Sequence, residues 1–346
     1  MKKSRHPTVL TISELAGVSP STVSRALNDD ARISQEVRAK VQRIAKEQGY
    51  TPNALARSLV SRTSGVVGLV LGNLSNPFYA ELAEIIHARI APMGKRLMLL
   101  HIGGEQLDME SMQTVFQYQM DGCIVTSASM SSKVAEICER YRLPMVMINR
   151  VAQLHSCAVS CHNYDGGYWI ADALLAAGHR KLAAVGGRPN TSTSQNREAG
   201  FLECMSQRGV EPWARYCGHS TYDGGYKAGC ELLAAAEHPD GIFAINDIMA
   251  LGVLDAAREF GIKVPDEISV VGFDDIRAAS WAGYNLTTIA QPVEAMVERS
   301  LDLLFARMSD PTLAGEEHYI RGEFRIRGTA RLGSELVLAG REARRE

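Results

Sequence analysis

The chain predicts an all-α head over residues 1–62 and, behind it, an α/β body of two doubly wound parallel-sheet lobes. Residues 8–28 read as two short helices about a glycine turn. From Val66 onward short apolar runs alternate with helical segments, and that alternation starts afresh after Asn163. At 346 residues, 46% hydrophobic and 22% charged, the chain has an ordinary globular composition and room for two or three domains.

The first helix is announced by Thr8, whose hydroxyl can cap free backbone N–H groups, and by Val9, Ile12 and Ala16 at helical spacing. Gly17 permits a sharp turn. Ser19 then stands as an N-cap with Pro20 at the first helical position, where a missing N–H costs nothing, and Val23, Ala26 and Leu27 form the buried face. A second helix so placed can enter a major groove. Its outward residues are Pro20, Ser21, Thr22, Ser24 and Arg25: small side chains that permit close approach, plus one guanidinium able to pair with guanine. Arg25 is the prime base reader, and Thr8, Ser19 and Asn28 at the helix ends join the candidate DNA-facing set. Ser34 caps a third helix with Val37, Val41, Ile44 and Ala45 inward and Gly49 at its end, closing a three-helix core.

A generic helical bundle would share this pattern, and charge separates the two readings. Residues 1–62 hold 11 of the 37 Lys and Arg but 5 of the 39 Asp and Glu, a balance of +6 that leaves 26 against 34, or −8, for the rest. A basic head gains affinity by releasing counterions from phosphates, whereas an acidic body is repelled by a duplex and faces away from it. Runs of about 18 apolar residues, the length that spans a bilayer, do not occur. The N-terminus, with Lys2, Lys3 and Arg5, lacks an apolar signal core, so a cytoplasmic protein without membrane contact is expected.

In the body, the runs Val66–Leu71, Arg96–His101, Gly122–Thr126 and Met145–Ile148 predict parallel strands of one lobe. Runs at 181–185, 241–244 and 269–272, with helices near 164–177, 194–208, 222–235 and 247–260, predict the second. A helix near 293–308 and a strand-like 323–327 are expected to cross back. Lobe 1 then comprises about 65–163 and 293–323, lobe 2 about 164–291 and 324–332, within a body of 63–335 followed by a tail at 336–346. Two such lobes close over a ligand at the carboxyl ends of their strands.

Seven cysteines, an odd number scattered along the chain, read as free buried thiols. Cys157, Cys161 and His162 resemble metal ligands superficially, but no second cluster completes a tetrahedral set, so no metal is expected. Neither G-x-S-x-G, a Walker loop nor a dinucleotide fingerprint stands at a strand-to-helix turn, and Gly186-Gly187-Arg188 is too short a signal. Catalysis and a cofactor are therefore not expected.

Several motifs occur in a fixed order: the head just described, Tyr50-x-Pro52-Asn53-x-x-Ala56-Arg57-x-Leu59, Asn246-Asp247-x-Met249-Ala250-Leu251-Gly252, Val271-Gly272-Phe273-Asp274-Asp275 and Thr287-Thr288-Ile289-x-Gln291-Pro292. Over residues 8–332 the chain resembles the lactose/galactose repressor family of transcriptional regulators. That resemblance implies a periplasmic-binding-protein-like body, a homodimer, a pseudopalindromic double-stranded operator and a sugar-class effector. It also implies a hinge helix at about 53–60 that folds on DNA, as so short a helix is marginal alone. Asn53, Ala56, Arg57 and Leu59 would line the minor groove, with Leu59 the wedge that opens a base step. Pro20 stands where relatives often present a larger hydrogen-bonding side chain, and Thr11 and Ser13 where many have Asp and Ala.

Candidate effector groups gather at strand ends. Asn76, Phe78, Tyr79, Thr126, Ser127, Asn149 and Arg150 come from one lobe; Arg197, Asn246, Asp247, Asp274 and Gln291 come from the other, at positions that bind effector in relatives. Polar groups beside flat aromatic faces suit a hydroxylated molecule. Taken singly, Asp247 could simply cap its helix and Asn76-Pro77 make a turn. Arg150 beside Arg197 favours a gluconate-like sugar acid over a neutral sugar, because guanidinium groups match carboxylates. Effector would move the lobes and so shift operator affinity, induction being the commoner arrangement in sugar-responsive relatives. The competing reading is a stand-alone sugar-binding protein without a regulatory role; deleting residues 1–62 separates the two.

Overall fold

The computed structural model describes residues 7–51, 63–103, 106–107, 109–126, 129–130, 132–151 and 157–333. The chain forms two compact units that divide between Ser64 and Gly65. The expected hinge helix and C-terminal tail lie outside the described residues.

The head consists of α1 (Val9–Ala16), α2 (Pro20–Leu27) and α3 (Gln35–Glu47). Ile12, Ala16, Val23, Ala26, Val41 and Ile44 are buried together, one helix face each, with Val9, Val18, Leu27, Ile33, Val37 and Tyr50 packed around them. Thr8 caps α1 in a reciprocal box with Thr11, and Gly17 ends the helix in the left-handed conformation at φ 66°. Thr11 thus satisfies the backbone of the very turn it opens, and Ser13 turns its hydroxyl back to the Leu10 carbonyl at 2.8 Å.

The body opens with β1 (Val66–Leu71), α4 (Pro77–Ile90), β2 (Arg96–His101), β3 (Gln106–Leu107), α5 (Met109–Gln117), β4 (Gly122–Thr126), β5 (Ser129–Met130), α6 (Ser132–Arg140), β6 (Met145–Ile148) and β7 (Ala158–Cys161). Then come α7 (Asn163–Ala176), β8 (Leu182–Gly186), α8 (Ser192–Gln207), β9 (Ala214–Cys217), α9 (Tyr222–Leu233), β10 (Gly241–Ala244), α10 (Asp247–Glu259) and β11 (Ser269–Asp274). The body closes with β12 (Thr287–Ala290), α11 (Val293–Ser309), β13 (Glu317–Ile320) and β14 (Glu323–Arg325).

Two six-stranded sheets result, ordered β13-β7-β6-β4-β1-β2 and β14-β12-β11-β10-β8-β9; β3 and β5 form a separate two-stranded pair. Central strands such as VVGLVL and GCIVT are apolar on both faces because helices cover both sides of a parallel sheet. The lobe 2 sheet is parallel except at its edge, where β14 runs antiparallel to β12 and pairs Phe324 with Ile289. The two-residue link Arg321-Gly322 carries the chain from β13 of the first sheet directly to β14 at the edge of the second.

The chain changes lobe at three places: His162 after β7, Gln291-Pro292 after β12, and Arg321-Gly322 after β13. After the second crossing α11 packs on β4, β6, β7 and α4 of lobe 1. Within lobe 2, α7 and α8 meet backbone to backbone. A Cβ on Gly167 would stand 2.0 Å from the Arg197 carbonyl oxygen, and one on Gly200 1.9 Å from that of Tyr164. Of the cysteines, Cys123, Cys138, Cys157, Cys161 and Cys204 are buried and free as expected. Cys217 departs from that reading: it is exposed, because β9 is the outer strand of its sheet.

Candidate functional site

In the head, Ser19 caps α2 by accepting from the Thr22 backbone N–H at 3.2 Å, and its Oγ lies 2.8 Å from Ser21 Oγ and 2.9 Å from Thr22 Oγ1. The α2 N-terminus therefore presents a fixed cluster of hydroxyls. Pro20, Ser21, Ser24, Arg25 and Asn28 are exposed, whereas Thr22 is half-buried and its hydroxyl is taken by the cap, so it is not an outward residue as expected. Thr8 is exposed, but its hydroxyl serves α1. Asn53, Ala56, Arg57 and Leu59 lie outside the described residues.

In the body, residues of both lobes line a narrow cleft of about 30 Å³. Asn76, Tyr79, Asn149, Arg150, Arg197, Asn246 and Asp274 all line it. The parallel strands deliver them: Asn149 and Arg150 follow β6, Asn246 follows β10, and Asp274 ends β11. Asn76 and Asn246 also cap α4 and α10, accepting from Phe78 N at 3.0 Å and Met249 N at 3.1 Å. Asn149, Ser220 and Asp274 adopt positive φ of 64°, 59° and 130°. Left-handed backbone at these three positions helps to aim their side chains into the cleft.

At its base Arg197, 3% exposed, forms an ion pair with Asp274 at 2.9 Å. Its Nε donates to Asn163 Oδ1 at 2.7 Å, its Nη1 to the Ile245 carbonyl at 2.7 Å, and its guanidinium stacks 3.7 Å over the Phe273 ring. Asp274 also accepts from Gln291 Nε2 at 2.7 Å and is hydrogen-bonded by Asn76 from the opposite lobe. Burial raises the pKa of the Asp274 carboxyl despite the opposing pull of Arg197.

Four predicted residues stand behind the cleft rather than in its lining. Phe78 packs edge-on against Tyr79 in the core, since its place in the first turn of α4 turns it inward. Thr126 closes β4 and is fully buried. Asp247 is not the cap of α10, a task that falls to Asn246. Its carboxylate accepts from Thr288 Oγ1 at 2.6 Å and from Ile276 N at 2.9 Å, bracing the loop that carries Asp274. Burial, reinforced by the Asp274 charge, pushes its pKa up to about 8. Gln291 bonds Asp274 from below. Ser127 lies outside the described residues.

Sequence reasoning missed Asn73, Arg188, Thr193, Ser194, Ser220 and Ile245 in the lining. Arg188 carried a signal, as it follows Gly186-Gly187 at the end of β8. A Cβ on Gly187 would meet Ser220 Oγ at 2.5 Å, Ser194 Oγ at 2.6 Å and Ile245 Cδ1 at 2.8 Å, so the glycine makes room for the floor. Arg188 itself donates from Nε to the His219 carbonyl at 3.1 Å.

Arg150 is the outlier. Its Nε and Nη1 are buried with no hydrogen-bond partner among the described residues, and so is Asn149 Oδ1 beside it. Other contacts draw the lobes together: Arg277 pairs with Glu84 and donates its N–H to Glu81 Oε1, and Val151 N donates to Ser192 Oγ at 3.3 Å. Among the described residues no group of three or more His, Cys, Asp or Glu is placed to hold a metal ion, and no helix is long and apolar enough to cross a membrane.

A basic helix-turn-helix head joined to a two-lobed body with a polar interlobe cleft defines a DNA-binding regulator that senses a small molecule. Residues 8–53 match the lacI family of bacterial regulatory proteins and residues 171–330 the periplasmic binding protein-like domain. The chain is 31% identical over 328 residues to the ribose operon repressor of Escherichia coli (strain K12), covering 93% of this chain and 99% of the relative. It belongs to the lacI family, and is accordingly a DNA-binding transcriptional repressor under small-molecule control rather than an enzyme. Members bind operator DNA and sugar effectors, typically as dimers. A lacI-family regulator from Enterococcus faecium solved with bound ribose is 26% identical, covers 77% of this chain and 99% of its own, and superposes with a TM-score of 0.69. The Lac repressor dimer bound to operator and an anti-inducer, 24% identical over 94% of this chain and 99% of its own, shares the fold with a TM-score of 0.80.

Proposed function

We propose that the cleft binds a small polyhydroxylated effector, with a gluconate-like sugar acid favoured over a neutral sugar. The single observation that carries this is Arg150, whose Nε and Nη1 are buried without a partner among the described residues. An unmet buried guanidinium N–H is costly, and a carboxylate oxygen is a strong, charge-assisted acceptor for it. The original pairing of Arg150 with Arg197 does not carry the acid reading, because Asp274 already neutralises Arg197. The positive group that carries it is instead Arg150, which also lines the cleft. Asn73, Asn76, Asn149, Thr193, Ser194 and Asn246 offer the mixed donors and acceptors that hydroxyls require.

A neutral sugar is the second reading, favoured by the ribose in the similar Enterococcus regulator and by the name of the Escherichia coli relative. Titration calorimetry with gluconate, ribose and neutral hexoses decides. Binding of the neutral sugars alone ends the acid proposal; binding of gluconate that is lost in Arg150→Gln supports it.

The protein acts as a cytoplasmic homodimer on a pseudopalindromic operator, with Arg25, Ser21, Ser24, Pro20 and Asn28 at the major groove and the 53–60 segment at the minor groove. Effector bridging the lobes alters operator affinity by about 5- to 150-fold, the range of 1–3 kcal/mol typical of such coupling, and operator alters effector affinity by the same factor. Gel shifts with and without effector test this. A chain lacking residues 1–62 that still binds DNA would contradict the assignment of DNA reading to the head.

A further inference from the structure

A second cavity lies in lobe 1, remote from the effector cleft. Cys138, Arg142, Leu143 and Pro144, from the end of α6 and the approach to β6, form one wall. Arg307, near the end of α11, and the loop 311–315 that leads to β13 form the other. Both walls feed the amino ends of strands, whereas Asn149 and Arg150 of the effector cleft follow the carboxyl end of β6. The cavity holds about 430 Å³, within the range of small-molecule sites.

Its chemistry has one sign. Two guanidinium groups line it and no carboxylate does; Leu143, Pro144, Pro311, Leu313 and Ala314 supply the apolar remainder. The nearby Asp310 carboxylate is engaged by the Thr312 N–H at 2.9 Å and hydroxyl at 2.6 Å, so it organises the loop. Arg307 holds that loop in place by donating from Nη1 to the Leu313 carbonyl at 2.6 Å. A cation in the last turn of α11 also offsets the carbonyl end of that helix. Neither task uses Arg307 Nε, which is buried with no hydrogen-bond partner among the described residues. Arg307 lines the cavity, and its guanidinium keeps hydrogen-bonding capacity that these two tasks do not use. Arg142, exposed and held at φ 51°, stands on the facing wall.

We propose that this cavity binds a small organic anion, a phosphate monoester or a carboxylate with an apolar group attached. The charged end bridges Arg142 and Arg307, and the apolar part rests on Leu143, Pro144 and Leu313. Guanidinium groups suit such anions because they offer paired, directional N–H donors.

Titration calorimetry of the full-length protein with phenyl phosphate, benzoate and the neutral isostere phenol tests the proposal. Saturable binding of phenyl phosphate or benzoate is expected, at least tenfold weaker in Arg142→Gln and in Arg307→Gln and undiminished in Arg150→Gln. Whichever of the two anions binds more tightly identifies the headgroup. Arg142→Gln leaves the Arg307–Leu313 contact intact, so its loss of binding cannot come from a displaced loop; unchanged operator binding verifies folding of both variants. Absence of saturable binding by both anions, equal binding of phenol, binding as tight in the Arg142 and Arg307 variants as in the wild type, or loss in Arg150→Gln would overturn it.

Discussion

Arg197 and Asp274 lie 2.9 Å apart in an ion pair whose side chains are each 4% exposed. Arg197 comes from the middle of α8 and Asp274 from the tip of β11, so the pair ties a helix to the loop on which the cleft is built. Asn163, Gln291 and Asn76 complete the network, and these three sit beside the first crossover, on the second, and in the opposite lobe.

Removing one partner leaves the other charge buried. Arg197→Met is therefore expected to cost about 3–5 kcal/mol of body stability in urea unfolding, and to abolish effector binding. A loss below about 1 kcal/mol, the size of an exposed pair, would contradict the buried pairing.

Asp247 makes stability depend on pH. Burial and the neighbouring Asp274 raise its pKa from 3.8 to about 8, so the folded protein holds a proton that the unfolded chain releases. Stability from this group is complete below the ordinary carboxyl range and is lost as pH rises through about 8; Asp274 is shifted in the same direction. The melting temperature should fall between about pH 4 and pH 8, with a shallower fall in Asp247→Asn. An identical slope in that variant would remove Asp247 as the cause.

Gly167 decides how closely α7 and α8 approach. A methyl group there would overlap the Arg197 carbonyl, 2.0 Å away, and backbone cannot step aside as a side chain can. Gly167→Ala is expected to cost about 1–3 kcal/mol in denaturant unfolding and to weaken effector binding by shifting Arg197. Wild-type affinity in a folded variant would show that α8 tolerates the shift.

Two substitutions in the head should separate architecture from recognition. Ser19→Ala removes the α2 cap and should cost the isolated head about 1 kcal/mol in thermal unfolding. Arg25→Ala should leave stability within about 0.5 kcal/mol, as expected for an exposed side chain, while operator discrimination drops by about 1–3 kcal/mol in competition gel shifts. Equal discrimination in the Arg25 variant would transfer base reading to other residues.

What could be read from the sequence follows where physics acts locally. The head was legible because Thr8, Ser19 and Ser34 caps and a 3.6-residue apolar period are written within a few residues of each other. Central strands were legible as continuous apolar runs. Edge strands β9 (ARYC) and β13 (EHYI) were not, since one face meets solvent and they show a brief alternation too short to register. Thr287 and Thr288 of β12 read as polar yet are fully buried, their hydroxyls matched by Arg327 N and Asp247. The cleft was half legible. Asparagine, arginine and aspartate at strand ends could be named, but which side chain faces inward depends on partners more than a hundred residues apart. Thr193, Ser194 and Ser220 are individually ordinary, and the fold alone gathers them.

The interleaved course of the chain bears on how the protein is made. Lobe 1 lacks its covering helix α11 and its edge strand β13 until residue 320 has emerged from the ribosome, although its first strand begins at Val66. Nearly the whole body must be synthesised before either sheet is complete, so nascent lobe 1 exposes the β7 edge throughout elongation. Neither lobe can be excised as one continuous fragment, and truncation before residue 320 should yield aggregating material rather than a smaller sensor.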